Sequence, residues 1–359
     1  MTVGIVRATL DNIEQSMREL LQLIDYQPRR EAFFIKPNVA APARPGRGVY
    51  TDPAVVDAFL SCFPGKPAVI GEGCVVGIHA DMVFHDTGYG AVAERHGAAL
   101  VDLEGTERFD AEWPLGRLRL PTYLHTHEYI NVAKMKTHIQ TGVSLGLKNQ
   151  KGLLLGVDKR RFHRLGLNEH IRSLATVVQP HLTIVDGIVG LEGDGPWGYG
   201  QPVQMNVLVA GTDVFEVDNV CLQLMGFAPE HAPHIPALSE VKTVGLSITE
   251  ARRQLAFGYA GSLRYRNMYQ HVGDSCSGCN LALYYGLRAI KHSPWRRLKF
   301  AYRGGWRRLD IVMGQADRLP PEHGKVVCLG DCTRHLAEEH GLPLARGCPP
   351  TPEEVLKIL

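Results

Sequence analysis

Ala32-Phe33-Phe34-Ile35-Lys36-Pro37-Asn38 is the stretch whose reading sets the fold. Its apolar run has the length of a buried strand and stops on a basic side chain, a proline and an amide. Polar groups at the end of a buried strand are where open α/β sheets place their ligands. Before it, Ile13, Met17, Leu20, Leu21 and Ile24 recur at helical spacing, with Asp11 available as cap and Glu14 three residues later. After it, Tyr50-Thr51-Asp52-Pro53 opens a helix, with Thr51 or Asp52 as cap and Pro53 at the first helical position. Pro67-Ala68-Val69-Ile70 reads as a second strand closing on Gly71-Glu72-Gly73, where glycines let the backbone approach closely around one acid. A helix from about Asp81 to Arg95 and a strand at Ala98–Val101 continue the alternation. That alternation predicts an α/β fold: an open, largely parallel sheet with flanking helices.

The densest polar stretch follows the strand Tyr129-Ile130-Asn131-Val132. It reads Ala133-Lys134-Met135-Lys136-Thr137-His138, then Thr141-Gly142-Val143-Ser144, then Leu147-Lys148-Asn149-Gln150-Lys151-Gly152. On an extended strand Lys134, Lys136 and His138 share a face, since side chains alternate. The Gly, Ser and Thr donors that follow suit an anion, and Lys148 and Asn149 can project from the next helical turn. A pocket for a carboxylate- or phosphate-bearing ligand is one reading; a solvated edge strand with a flexible loop is the other.

Further on, Asn168 to Val178 is expected as helix and Leu182-Thr183-Ile184-Val185 as strand, ending in Asp186-Gly187. The stretch from Gly190 to Gly200, which holds Glu192, Asp194, Pro196, Trp197 and Tyr199 among five glycines, is expected as a functional loop. It is not a dinucleotide fingerprint, which needs G-x-G-x-x-G on an early strand–helix turn. A strand at Met205–Ala210 leads to Thr212 or Asp213 as the cap of a helix bearing Glu216 and Asp218. Past Pro229 the composition turns loop-like, with His231 and His234 among prolines. We expect residues 1–230 as the α/β ligand-binding domain, 231–265 as a connecting region and 266–359 as a smaller α+β module.

That module holds five of the chain's eight cysteines in three short segments: Asp274-Ser275-Cys276-Ser277-Gly278-Cys279, Cys328-Leu329-Gly330-Asp331-Cys332 and Gly347-Cys348-Pro349-Pro350. A C-x-x-C turn brings two thiolates together, and cysteines beyond a long insertion complete the shell. Cys-Pro is frequent among cluster ligands. We read a [4Fe–4S] cluster held by Cys276, Cys279, Cys332 and Cys348. Cys328 is the spare, because it follows the strand-like Lys325-Val326-Val327. Structural zinc on Cys276/Cys279 and Cys328/Cys332 is the alternative, with disulfides and free thiols behind it. Thr351-Pro352-Glu353-Glu354 is a capping box opening the last helix. Between Leu287 and Leu309 stand Arg288, Lys291, Arg296, Arg297, Lys299, Arg303, Arg307 and Arg308, with no acid. That is a docking face for an acidic electron-transfer protein, with RNA as a second choice of partner, or else a solvated amphipathic segment.

The totals narrow the classes. A chain of 359 residues, 45% apolar and 21% charged, has room for two cores. A net charge of +2 makes no case for nucleic acid or a membrane surface. The first residues show no signal pattern, and no apolar run nears the roughly 20 residues that span a bilayer. A cytoplasmic location, where thiols stay reduced, is the expectation.

Taken together, Lys36-Pro37-Asn38, Thr51-Asp52-Pro53, Gly71-Glu72-Gly73, Lys134-x-Lys136-x-His138, Gly146-Leu147-Lys148-Asn149, Asp186-Gly187 with Glu192-Gly193-x-Gly195-Pro196, and Asp213 with Asp218 resemble a prokaryotic family. It is the one described as domain of unknown function 362, and the resemblance covers roughly residues 30 to 227. It implies an iron–sulfur cluster-binding protein. The tandem C-x-x-C-x-x-C run of the family's ferredoxin-like segments is missing here, so the cluster would be of a split-cysteine kind. Gly347-Cys348-Pro349-Pro350 also resembles the cluster motif of the small subunit of respiratory complex I. The family's first domain is similar in fold to lactate racemase, which implies small hydroxy- or keto-acid ligands; fold alone does not fix chemistry.

The function expected is thus an iron–sulfur oxidoreductase acting on a small anionic substrate. His138, Lys134 and Lys136 are the candidates for chemistry; Lys36, Asn38, Glu72, Thr141, Ser144, Lys148, Asn149 and Glu192 are those for binding. A non-redox lyase or racemase with cluster iron or another metal as Lewis acid, and a non-enzymatic electron carrier, are the alternatives.

Overall fold

A computed structural model of the chain describes residues 2–75, 78–196, 200–258, 262–265, 267–272, 275–302 and 307–359. Trp197, Gly198 and Tyr199 of the glycine-rich stretch, Asp274 of the first cysteine segment and Arg303 of the basic connector lie outside these residues. The chain divides into two compact units. The first holds Met1–Cys74, Ile78–Lys159 and Asn168–Gly258; the second holds Val75–Gly77, Arg160–Leu167 and Tyr259–Leu359. Much of the expected connector, up to Gly258, therefore falls in the first unit.

The first unit's strands are β1 (Val3–Arg7), β2 (Phe33–Pro37), β3 (Ala68–Glu72), β4 (Ala99–Asp102), β5 (Arg108–Trp113), β6 (Gly116–Pro121), β7 (Glu128–His138), β8 (Gly142–Ser144), β9 (Leu182–Glu192), β10 (Gln201–Gly211) and β11 (Thr243–Gly245). All but the β5–β6 hairpin form one mixed sheet in the order β11-β1-β10-β9-β7-β2-β3-β4, with β8 added to β7. From β9 to β4 the strands are parallel, as the strand–helix alternation predicts; β10 runs antiparallel to both β9 and β1. Phe33, Ile35, Ile130, Val132, Leu182 and Ile184 join Met17, Leu20, Val55, Val56 and Phe59 of the flanking helices in one apolar core. The apolar runs of β2 and β7 are long buried ladders because helices cover the sheet.

Local signals set most element ends. Asp52 caps its helix, accepting from the Ala54 N–H at 3.0 Å, and Pro53 opens it. Asp213, not Thr212, caps the helix Val214–Leu224. Three expectations are corrected. Asn12, bonded to the Thr9 backbone at 2.7 Å, rather than Asp11, organises the start of the first helix. The expected helix from Asp81 to Arg95 is two helices, Ala80–Thr87 and Tyr89–His96, broken where Gly88 takes φ +88°. Gly190, Leu191 and Glu192 are the end of β9 rather than loop.

In the second unit β12 (Ser262–Tyr265), β13 (Met268–His271), β14 (Leu309–Met313), β15 (Lys325–Leu329) and β16 (Leu344–Ala345) form a sheet in that order, parallel from β13 onward. One face packs with the helices Ser277–Lys291 and Pro352–Ile358 through Leu283, Ile311, Val327, Leu329 and Val355. Thr351 caps the last helix, its hydroxyl accepting from the Glu354 N–H at 3.3 Å. Among the described residues no helix is long and apolar enough to cross a membrane.

Candidate functional site

Two places bring chemistry-bearing residues together, one in each unit. In the first unit it is a buried network along the C-terminal parts of β2, β3 and β7 and the middle of β9. Lys36 Nζ donates to Glu72 Oε1 at 2.6 Å, to the Pro37 carbonyl at 3.0 Å and to Asn149 Oδ1 at 3.1 Å. Glu72 is held in turn by the backbone N–H groups of Val39 and Gly73. Asn38 donates to the same Asn149 oxygen at 3.0 Å and accepts from Lys136 Nζ at 2.7 Å. Lys136 also donates to the Val49 carbonyl at 2.6 Å. Asn149 Nδ2 closes the ring onto Asn131 Oδ1 at 2.8 Å. Gly152 explains one feature of the sequence: a Cβ there would stand 2.4 Å from both Glu72 Oε1 and Lys36 Cε, so its backbone packs directly on the ion pair.

Lys134 pairs with Asp186 at 2.6 Å, and the backbone N–H groups of Asp52 and Ile188 complete that carboxylate. Lys134 also lines a narrow recess with Arg47, Gly48, Val49, Tyr50 and Asp52. Lys36 and Lys134 thus each have a buried carboxylate. Lys136 has none among the described residues: its partners there are an amide oxygen and a carbonyl. Burial, and then the neighbouring charges of Lys134 and Lys36, push its pKa down to about 7, with Glu72 working against them. A lysine tuned near neutrality can both give and take a proton.

The other expected residues have local partners. Ser144 Oγ accepts from Lys148 Nζ at 3.3 Å. Thr141 donates to the Val143 carbonyl. His138 Nδ1 faces the N–H of Gln140 at 3.1 Å and of Thr141. Glu192 accepts from the Ala256 N–H at 2.8 Å. Asn131, Lys159 and Asp218 belong to the site's framework; Asn131 and Lys159 were missed in the sequence, whereas Asp218 stood out there without being assigned to the site. Lys159 donates to the carbonyls of Gly73 and Cys74. Asp218 accepts from the Gly146 and Leu147 N–H groups at 2.7 and 2.8 Å, and burial still lifts its carboxyl to about 7. An asparagine inside the apolar run of β7 was the available signal for Asn131; Lys159, in a charged helix, gave none.

In the second unit the cysteine segments converge. Cys276 caps the helix Ser277–Lys291 and Cys279 lies in its first turn, so both sulfurs sit at a helix N-terminus, which favours negative charge. Cys332 is in the turn Asp331–Thr333 after β15, and Cys348 is in the turn after β16. The two turns are joined: Asp331 N–H donates to the Gly347 carbonyl at 3.1 Å, and Gly347 N–H to Asp331 Oδ1 at 3.2 Å. The C-x-x-C turn meets both. A Cβ on Gly330, at φ +87°, would lie 2.9 Å from Cys279 Sγ, and one on Gly278 would lie 2.7 Å from Pro349 Cγ. The Cys279 thiol is pushed up by its hydrogen bond with Cys276, then by burial and by the charges of Cys276, Cys332 and Cys348.

Burial raises Cys332 and Cys348 as well, and the positive charges of Arg160 and Arg164 oppose it. Cys328 lies elsewhere, packed with Val312, Val326 and Leu336 in a separate apolar cluster. Four thiols that raise one another's pKa are a donor set suited to a thiophilic metal or cluster, which would relieve their mutual repulsion. Among the described residues no three His, Cys, Asp or Glu side chains are already gathered into a metal-holding group. The fit is therefore one of donor type and convergence.

Residues 34–223 match the model of the family described as domain of unknown function (DUF362). The chain belongs to the DUF362 family. The match takes in β2 through most of the helix Val214–Leu224, and so the whole lysine–carboxylate network. A thylakoid-associated protein of Synechocystis sp. is 29% identical over 252 residues, covering 66% of this chain and 76% of that protein.

Proposed function

We propose that this DUF362 protein is an iron–sulfur oxidoreductase acting on a small carboxylate- or phosphate-bearing substrate. The observation that carries the reading is the convergence of Cys276, Cys279, Cys332 and Cys348, from three segments, onto one another. A [4Fe–4S] cluster, when bound by them, supplies one-electron transfer. The helix N-terminus at Cys276 and the cations Arg160 and Arg164 balance the negative charge that four thiolates bring. In the first unit, Lys36–Glu72 and Lys134–Asp186 fix the frame in which Lys136 and Asn38 are held. Lys136 is the residue best suited to exchange a proton with substrate near neutral pH, and His138 is the second candidate.

The same lysine favours one other reading. A base near pH 7 suits proton abstraction beside a carboxylate without any redox step, as in a lyase or racemase. The partner proposed for electron exchange is an acidic protein. It would meet the helix Pro294–Phe300, where Trp295 and Leu298 are exposed among Arg296, Arg297 and Lys299. A reducing compartment suits the cysteines, and the cytoplasm is the location we propose. The thylakoid association of the Synechocystis relative is a reason to assay membrane fractions too.

The test is anaerobic. Protein reduced with dithionite is mixed with a panel of 2-oxo acids while its visible absorbance is followed; each acid takes two electrons and two protons on becoming the hydroxy acid, so two reduced chains, giving one electron each, are oxidised per acid. Reoxidation by one acid, abolished in Lys136→Met, is the expected result. If the protein carries a cluster that no acid reoxidises, yet the protein exchanges the α-proton of a 2-hydroxy acid for deuterium, the lyase or racemase reading replaces this one.

A further inference from the structure

His234 is fully enclosed, at 0% exposure, and neither ring nitrogen has a hydrogen-bond partner among the described residues. The residues on each side of it are pinned. Arg172 donates to the Pro233 carbonyl, and Asn219 Nδ2 to the Pro236 carbonyl at 2.9 Å. A neutral imidazole carries one donor and one acceptor, and burying either without a partner is unfavourable. Such a group calls for an explanation.

Its surroundings supply one. Lys148 and Arg172 are the charged groups that bear on His234, and with burial ahead of them they push the imidazole down to about 3. Lys148 itself is held well below the usual lysine range by burial, and then by the charges of Lys151 and Lys136. Among the described residues the charges that shift this pair are positive, and the two segments pack together: a Cβ on Gly142 of β8 would stand 1.7 Å from the His231 carbonyl oxygen. The Lys148 amine reaches Ser144 Oγ at 3.3 Å, and part of the Lys148 side chain still meets solvent while His234 does not. The helix Gly146–Asn149 that carries Lys148 is fixed by Asp218, whose oxygens are taken up by the Gly146 and Leu147 N–H groups. That carboxylate is therefore already engaged.

We propose that Ser144, Lys148 and His234 form a binding site for a carboxylate group, with Lys148 at the mouth and His234 at the base. One carboxylate oxygen accepts from the Lys148 ammonium and the Ser144 hydroxyl, and the other accepts from a His234 ring N–H. The anion supplies the negative charge that the pair lacks. The proposal deepens the anionic-substrate half of the function above and does not depend on the cysteines.

Acetate is the probe, added to the full chain and titrated by calorimetry against sodium chloride of equal ionic strength. Wild type is expected to bind acetate saturably. His234→Phe, which keeps the volume and removes the orphan nitrogens, is expected to weaken binding by about tenfold or more. Lys148→Met, a substitution at a partly exposed position, is expected to weaken binding by a similar factor; it also serves if His234→Phe does not fold. Gly90→Ala, in the helix Tyr89–His96, is expected to bind acetate as wild type does. Acetate behaving like chloride, or binding unchanged in His234→Phe or Lys148→Met, overturns the proposal. Binding lost in Lys136→Met but kept in the other two also overturns it, and leaves the anionic-substrate reading standing at a different lysine.

Discussion

Lys36 Nζ lies 2.6 Å from Glu72 Oε1, with 1% of each side chain exposed. The pair joins β2 to β3, and its remaining valences are taken by Pro37, Asn149, Val39 and Gly73. A buried ion pair this well satisfied contributes little net stability over an apolar pair, but removing one partner strands the other charge. Lys36→Met is expected to destabilise the protein by about 3–5 kcal/mol in urea unfolding. The double variant Lys36→Met/Glu72→Leu is expected to recover part of that loss.

Gly152 packs on the same pair. Gly152→Ala places a methyl group against Lys36 and Glu72 and is expected to cost about 1–3 kcal/mol. Gly90, inside the helix Tyr89–His96, has nothing within 4 Å of its Cβ position. Gly90→Ala is expected to stabilise by up to about 1 kcal/mol, measured in the same unfolding series.

Lys136 gives a pH signature. Its pKa falls from 10.5 to about 7 on folding, so between those values the unfolded chain binds more protons than the folded one. Stability from this residue therefore rises as pH climbs from about 7 to 10.5, and the burden is greatest below 7. Lys136→Met removes the dependence. Stability of wild type relative to the variant is expected to increase across that window; a constant difference would mean that Lys136 is not a perturbed lysine.

The cysteines are separable. Serine in place of Cys276, Cys279, Cys332 or Cys348 is expected to lower bound iron in anaerobically purified protein. Cys328→Ala is expected to leave iron unchanged and to show only the small cost of trimming a buried side chain. Iron lost in Cys328→Ala but retained in Cys348→Ser would reassign the ligand set.

Much of this arrangement was legible in the sequence because local rules produced it. The apolar runs of β2, β3 and β7, the Asp52 cap and the spacing of cysteines each carry their own signal. What was not legible came from long-range pairing. The sequence placed Lys134 and Lys136 together as equivalent cations on one strand, yet Lys134 finds Asp186 across the sheet while Lys136 finds only neutral oxygens. Partners 52 and 98 residues apart decide which lysine is perturbed. His234 looked like part of a proline-rich connector, and the segment around it is held by Arg172 and Asn219 through the carbonyls of Pro233 and Pro236. Gly88 broke a helix that the apolar pattern read as continuous, since periodicity does not register one left-handed residue.

The measurement that bears most directly on the central claim is the iron, acid-labile sulfide and zinc content of the protein purified without oxygen. The account requires about four irons and four sulfides per chain. One zinc per chain and no sulfide would contradict it, leaving the Lys136 site and the carboxylate site at His234 to be explained without electron transfer.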